Sequence, residues 1–153
     1  LVRRVRAELA KEIAELEPIT GIAPVLLELK KQGHILGIVT SNNKENVNIF
    51  LAKNQLDQLF SYIYSSTAIF GKHRVLNQVI REHNIVQSDI IYVGDETRDI
   101  RSARKSLISV VAVSWGFNAA EILQEHQPDY LVAEPSELLE AIAHWQPCQT
   151  AAF

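Results

Sequence analysis

Gly94-Asp95-Glu96-Thr97-Arg98-Asp99 follows the apolar run Ile91-Tyr92-Val93. That order reads as a strand ending in a carboxylate cluster. With a helix starting just after Asp95, the spacing of Asp95 and Asp99 puts both acids on one side of its first turn. Two carboxylates so placed repel each other, and a cation resolves the repulsion. Ligation by oxygen alone suits Mg²⁺, which keeps several waters and bridges to substrate phosphate. Two other polar clusters complement the acids. Thr40-Ser41-Asn42 ends the apolar run from Ile35, and Lys72 follows Gly71. A hydroxyl and backbone N–H groups at a strand-to-helix turn bind phosphoryl oxygens, and a lysine neutralises their charge. Together with a metal, these groups meet the needs of phosphoryl transfer. Each cluster also has a plainer reading, as a helix cap or a solvated helix start. Their order along the chain favours a shared site.

The elements that must position these groups alternate. Residues 1–16 carry a helical stripe of Val2, Val5, Leu9, Ile13 and Leu16, ended by Pro18 and Gly21. A helix over 22–32 follows, with Gly33 at its C′ position. Ile35–Thr40 reads as a strand buried on both faces. A helix over 44–54, a strand at Tyr62–Ser65 and a helix opening at Gly71-Lys72 come next, the last burying Val75, Leu76, Val79 and Ile80. Ser88–Val93 reads as a strand, 97–106 as a helix and Ser109–Val113 as a strand. Ser114-Trp115-Gly116-Phe117 is a loop whose aromatics are expected to pack. A short helix starting at Asn118 or Ala119 is expected to bury Ile122 and Leu123. A strand at Asp129–Val132 and a helix capped by Ser136 complete the order. This alternation implies βαβ crossovers, a parallel sheet and helices on both faces, with ligands at the carboxyl ends of the strands.

Composition bounds the function. The 153 residues are 47% hydrophobic and 22% charged, with net charge -3, an ordinary globular balance for one domain. That charge gives no general attraction to nucleic acid. No apolar run reaches the roughly 20 residues that span a bilayer. The single Cys148 excludes an intrachain disulfide and fits a reducing, cytoplasmic setting. The five histidines lack metal-ligand spacing. Arg98 is expected in a surface ion pair, and Arg3-Arg4-Arg6 on a solvated helix face. The chain begins with Leu1 and has no Met, which reads as a segment of a longer, processed or engineered product.

On these residues the chain resembles the core of haloacid dehalogenase superfamily phosphatases, in the phosphoglycolate-phosphatase-like branch, over about residues 18–143. Ile38-Val39-Thr40-Ser41-Asn42 resembles the second motif, with Thr40 in the place of the phosphate-holding hydroxyl. Lys72 resembles the third-motif lysine, although the usual Lys-Pro is Lys72-His73 here. Gly94–Asp99 resembles the fourth motif. Asp95 takes the place of the Mg²⁺ ligand, and Asp99 that of the acid supporting the metal or the lysine. Ser114–Phe117 resembles the loop after the next strand. The resemblance implies a Rossmann-like three-layer αβα core, Mg²⁺ as cofactor, and a small phosphate monoester such as phosphoglycolate as substrate. It implies catalytic roles for Thr40 and Lys72, phosphate binding by Thr40, Ser41, Asn42 and Lys72, and metal binding by Asp95 and Asp99. Neither nucleic acid nor a membrane is implied as a partner.

One motif of the family has no counterpart. Its first strand carries Asp-x-Asp-Gly-Thr, the nucleophile and the general acid, and no Asp precedes Asp57 here. The domain reading is therefore a cap remnant over 1–17, an α/β core over 18–146 and a tail over 147–153, with the central first strand missing. The flanking strands are expected to pair directly or to leave a slot for another segment. The expectation for this chain alone is no turnover, with the active protein carrying an upstream Asp. A rival reading is a non-catalytic phosphate-binding or interaction module. A two-component receiver is disfavoured, because its acid pair comes early and its lysine last, whereas the order here is Thr, Lys, acids.

Overall fold

The computed structural model describes residues 12, 13, 15–66 and 71–145. The expected helix over 1–16 lies mostly outside them, as does Cys148. The chain divides into two compact units, Leu1–Ile69 and Phe70–Phe153.

The first unit holds α1 (Ile22–Lys31), β1 (Leu36–Thr40), α2 (Lys44–Lys53), a 3₁₀ turn (Asp57–Leu59) and β2 (Phe60–Ser65). Val25 and Leu29 on α1 are buried, and Lys30 and Lys31 close the helix where cations suit its dipole. Gly33 takes the left-handed C′ position with φ 91°. Its N–H donates to Lys30 and that of His34 to Leu29, the two bonds of a Schellman ending. β1 and β2 run parallel, Ile38 beside Ile63 and Thr40 beside Ser65. Gly37 is required here, because a Cβ would run into the Tyr62 ring. Leu51, Leu56 and Leu59 form the centre of this unit, with Leu26, Ile38 and Phe50 against them.

The second unit holds α3 (Lys72–Glu82), a 3₁₀ turn (Gln87–Asp89), β3 (Ile91–Gly94), α4 (Thr97–Lys105), β4 (Ser109–Val113), α5 (Ala120–Glu125), β5 (Tyr130–Val132) and α6 (Glu137–His144). Its sheet has the order β3-β4-β5, all parallel. β4 is central, and Val110, Val111 and Ala112 are essentially inaccessible, as a parallel strand covered on both faces requires. Ile100 and Ala103 of α4 and Leu123 of α5 are also fully buried.

The α/β order agrees with the sequence reading, with differences in detail. The described strands form two parallel sheets, β1-β2 and β3-β4-β5, so of the two arrangements expected for the flanking strands, direct pairing is not the one adopted. Ser88 and Asp89 lie in a 3₁₀ turn that precedes β3 instead of in the strand. Ser136 makes no side-chain cap. Glu137 accepts hydrogen bonds from the Ala133 and Glu134 amides instead. Ile122 is 44% exposed, and only Leu123 of that pair enters the core.

Candidate active site

Two strand ends present the polar groups. In the first unit, β1 stops at Thr40 because Asn42 and Asn43 turn the chain. The Thr40 hydroxyl oxygen accepts the Asn42 amide at 3.0 Å, which leaves its O–H proton free to donate. Asn43 caps α2, its side-chain oxygen accepting the Asn46 amide at 2.7 Å. The Asn42 side chain binds the Asn43 amide at 2.9 Å and the Asn46 side chain at 3.1 Å. β2 braces the same turn: Ser65 Oγ donates to the Asn42 carbonyl at 2.5 Å, and the Ser66 amide to the Thr40 carbonyl at 2.8 Å. Ser41 and Asn42 are exposed. Thr40, Ser41 and Asn42 thus form one hydrogen-bonded turn, half-buried at Thr40 and exposed at Ser41 and Asn42.

In the second unit, Lys72 opens α3, whose first turn contains no acid. Its ammonium donates to Asp99 Oδ1 at 2.5 Å, with the lysine side chain 13% exposed. Asp99 is 1% exposed. It also accepts from Tyr92 Oη at 3.4 Å and, on Oδ2, from the Glu96 amide at 3.2 Å. An ammonium has three donors, so two remain available to an anion after the Asp99 bond. Gly94 is the residue that admits Asp99 beneath β3: a Cβ there would sit 2.5 Å from Asp99 Cβ and 2.6 Å from Oδ2. Tyr92 carries no motif of its own in the sequence. The two-residue period of a strand places it on the same face as Gly94, which is the signal that identifies it. Burial, reinforced by the Asp99 charge, pushes the Tyr92 hydroxyl far above its ordinary pKa and keeps it neutral and donating.

Asp95 differs from Asp99. It lies between β3 and α4, ahead of the helix, and Asp99 alone lies within the first turn. Asp95 Oδ2 accepts the Phe117 amide at 2.7 Å. Among the described residues nothing donates to Oδ1, and Asp95 has no cationic partner. Arg98 pairs instead with Glu96, whose hydrogen bond holds the guanidinium more firmly protonated. Phe117 does not pack: the residue is 79% exposed.

Among the described residues no three of His, Cys, Asp or Glu gather around one point. A hard cation that keeps its waters needs few protein oxygens, and Asp95 offers a fixed, uncompensated carboxylate oxygen. The donor set therefore fits Mg²⁺ as a partial site.

The sequence profile of the haloacid dehalogenase-like hydrolase family matches residues 1–113. The chain belongs to the haloacid dehalogenase-like hydrolases. It is 37% identical over 142 residues to phosphoglycolate phosphatase of Synechococcus elongatus, covering 93% of this chain and 67% of that protein. Pyrophosphatase PpaX of Bacillus mycoides is 29% identical over 119 residues, covering 76% of this chain and 55% of that protein. Among solved structures, a haloacid dehalogenase-like family hydrolase from Streptococcus pneumoniae superposes with TM-score 0.77 at 29% identity, over 90% of this chain and 64% of that one. A predicted phosphatase from Clostridium acetobutylicum gives TM-score 0.76 at 27% identity, over 82% and 59%. This haloacid dehalogenase-like chain thus spans between about half and two thirds of the relatives it matches.

Proposed function

We propose that this chain is the larger part of a Mg²⁺-dependent phosphatase acting on a small phosphorylated metabolite, phosphoglycolate being the foremost candidate. The observation that carries the reading is the division of labour between the two acids. Asp99 is buried and bonded to Lys72, whereas among the described residues nothing donates to Asp95 Oδ1. In this reading Asp99 anchors Lys72, and the lysine's remaining protons take phosphoryl oxygens. Thr40, Ser41 and Asn42 supply a hydroxyl and turn donors to phosphate. Asp95 would hold the Mg²⁺, with Asp99 supporting the site through its neighbours. A bound Mg²⁺ would offset negative charge on the phosphoryl group. A 37% identical phosphoglycolate phosphatase supports the substrate class, and the pyrophosphatase names among the relatives keep it broader. The single cysteine supports a cytoplasmic setting. Among the described residues no helix is long and apolar enough to cross a membrane.

No Asp precedes Asp57, so the nucleophile and the general acid come from outside this chain, and the chain alone gives no turnover. Binding tests the reading directly. Inorganic phosphate should bind the chain more tightly with Mg²⁺ than without. Lys72→Ala and Asp95→Asn should each weaken that binding about tenfold or more, the ~1.5–3 kcal/mol of a charged hydrogen bond. Binding indifferent to both substitutions overturns the proposal. The missing nucleophile also favours a second reading, a phosphate-binding module without chemistry. An Asp-x-Asp strand encoded upstream of Leu1 supports the enzyme, and a start codon close to Leu1 supports the module.

A further inference from the structure

We infer that the turn Gly116-Phe117-Asn118 is the positioning element of Asp95, holding carboxylate oxygen Oδ2 so that Oδ1 faces a divalent cation. The inference rests on the metal reading above and adds the residues that preset the ligand.

Two hydrogen bonds join this turn to Asp95 at the end of β3, and a third joins it to α4. The Phe117 amide donates to Asp95 Oδ2 at 2.7 Å. The Asn118 amide donates to the Asp95 carbonyl at 3.1 Å. The Asn118 side-chain oxygen accepts the Thr97 amide at 3.0 Å, which secures the first turn of α4. Both the side chain and the main chain of Asp95 are therefore held from one side. β3 and β4 run parallel and in register, with Gly94 beside Ala112, so their following loops emerge side by side.

Gly116 makes the approach possible. A Cβ at this position would overlap the Asp95 carboxylate, so any larger residue displaces either the acid or the turn. The contact is not a by-product of burying the adjacent side chain. Phe117 is 79% exposed while its amide is held by Asp95. A free aspartate carboxylate rotates among several orientations, and one that is hydrogen-bonded through a single oxygen presents the other in a defined direction. Partners of this kind commonly govern metal affinity by 10–100-fold.

The test is Mn²⁺ titration of the ¹⁵N-labelled chain, read by paramagnetic broadening of the amides around Asp95 and around Phe117. The wild-type chain should broaden at both places, and Asp95→Asn at neither. Gly116→Ala should raise the Mn²⁺ midpoint about tenfold or more while the β4 amides keep their wild-type shifts. Asn118→Ala, which retains Gly116, should raise it several-fold. It decides the matter should Gly116→Ala fail to fold. Without metal, exchange of the Phe117 amide should be slow in the wild type and fast in Asp95→Ala. An unchanged midpoint in the folded variants, with broadening in the wild type, overturns the positioning role and leaves the metal reading standing. No broadening in the wild type overturns the metal reading and this inference with it.

Discussion

Asp95 and Asp99 are the same residue type four positions apart, and their surroundings give them different tasks. Their spacing alone presents them as an equivalent pair, whereas the family resemblance gives Asp95 the metal and Asp99 the support of the metal or the lysine. The fold sinks Asp99 under β3, where Gly94 leaves room, and surrounds it with Lys72, Tyr92 and the Glu96 amide. Nothing in the spacing of the acids announces that difference, because it depends on which element passes beneath the strand. Breaking a buried ion pair by removing one partner costs roughly 3–5 kcal/mol. Asp99→Ala should accordingly lower the unfolding free energy by about 3 kcal/mol, read from urea denaturation. Tyr92 makes a further prediction. Its hydroxyl has a folded-state pKa raised above the ordinary tyrosine value of about 10, by burial first and then by Asp99, Asp95 and Glu96. A raised pKa means that the folded state holds the proton more tightly. That contribution is complete below pH 10 and is lost as the pH climbs above it. Stability of the wild type should therefore fall more steeply above pH 10 than that of Tyr92→Phe, as measured by denaturation at fixed pH values. Parallel slopes would contradict the assignment.

The helices were legible in their spans and less so in their endings. Gly33 announces a left-handed C′ residue, and the chain adopts it. Three other helices end in the same hydrogen-bond pattern without glycine. Leu56, Ile85 and Ile108 donate back to Leu51, Ile80 and Ala103, and the residues before them, Gln55, Asn84 and Leu107, take φ values of 58°, 51° and 58°. The signal is the apolar residue just beyond each left-handed position, which accompanies the Schellman ending. A sequence search for glycine passes over it. Leu107 is the large apolar residue among them, and at 78% exposed it gains little from burial to offset the left-handed backbone. A left-handed conformation costs a non-glycine residue roughly 1–2 kcal/mol. Leu107→Gly regains part of that, offset by the greater freedom of glycine in the unfolded chain. The expected outcome is a stabilisation of about 0.5–1 kcal/mol, seen as a higher melting temperature. Gly33→Ala is the converse case. Space is open around a Cβ there, so its destabilisation isolates the backbone strain at φ 91°.

At the scale of the whole molecule, the parallel direction of the strands could be read from the alternation of elements, whereas the sequence left open whether the strands flanking the missing one pair directly. The apolar run of β1 reads as a strand covered on both sides, yet among the described strands it has β2 as its one ladder partner. Sequence records the apolarity of a strand and not the identity of its neighbour. The consequence is unequal stability. Two-stranded sheets are marginal alone, and three strands packed on helices are not. β4 has a partner on each side, and its residues 110–113 are all buried, whereas Ile38, Val39 and Thr40 of β1 are only partly so. Local opening free energies follow burial and the protection of hydrogen bonds. Hydrogen exchange should therefore be fastest in the β1-β2 ladder and slowest in β4, with the amides of Val39 and Ile63 exchanging before those of Val111 and Ala112. Equal protection would mean that β1 has a ladder partner beyond β2. If a segment carrying an Asp-x-Asp strand pairs with β1, adding it as a peptide should slow exchange in β1 while leaving β4 as it was. The same protection should then make phosphate binding tighter, because the Thr40 turn is the direct continuation of β1.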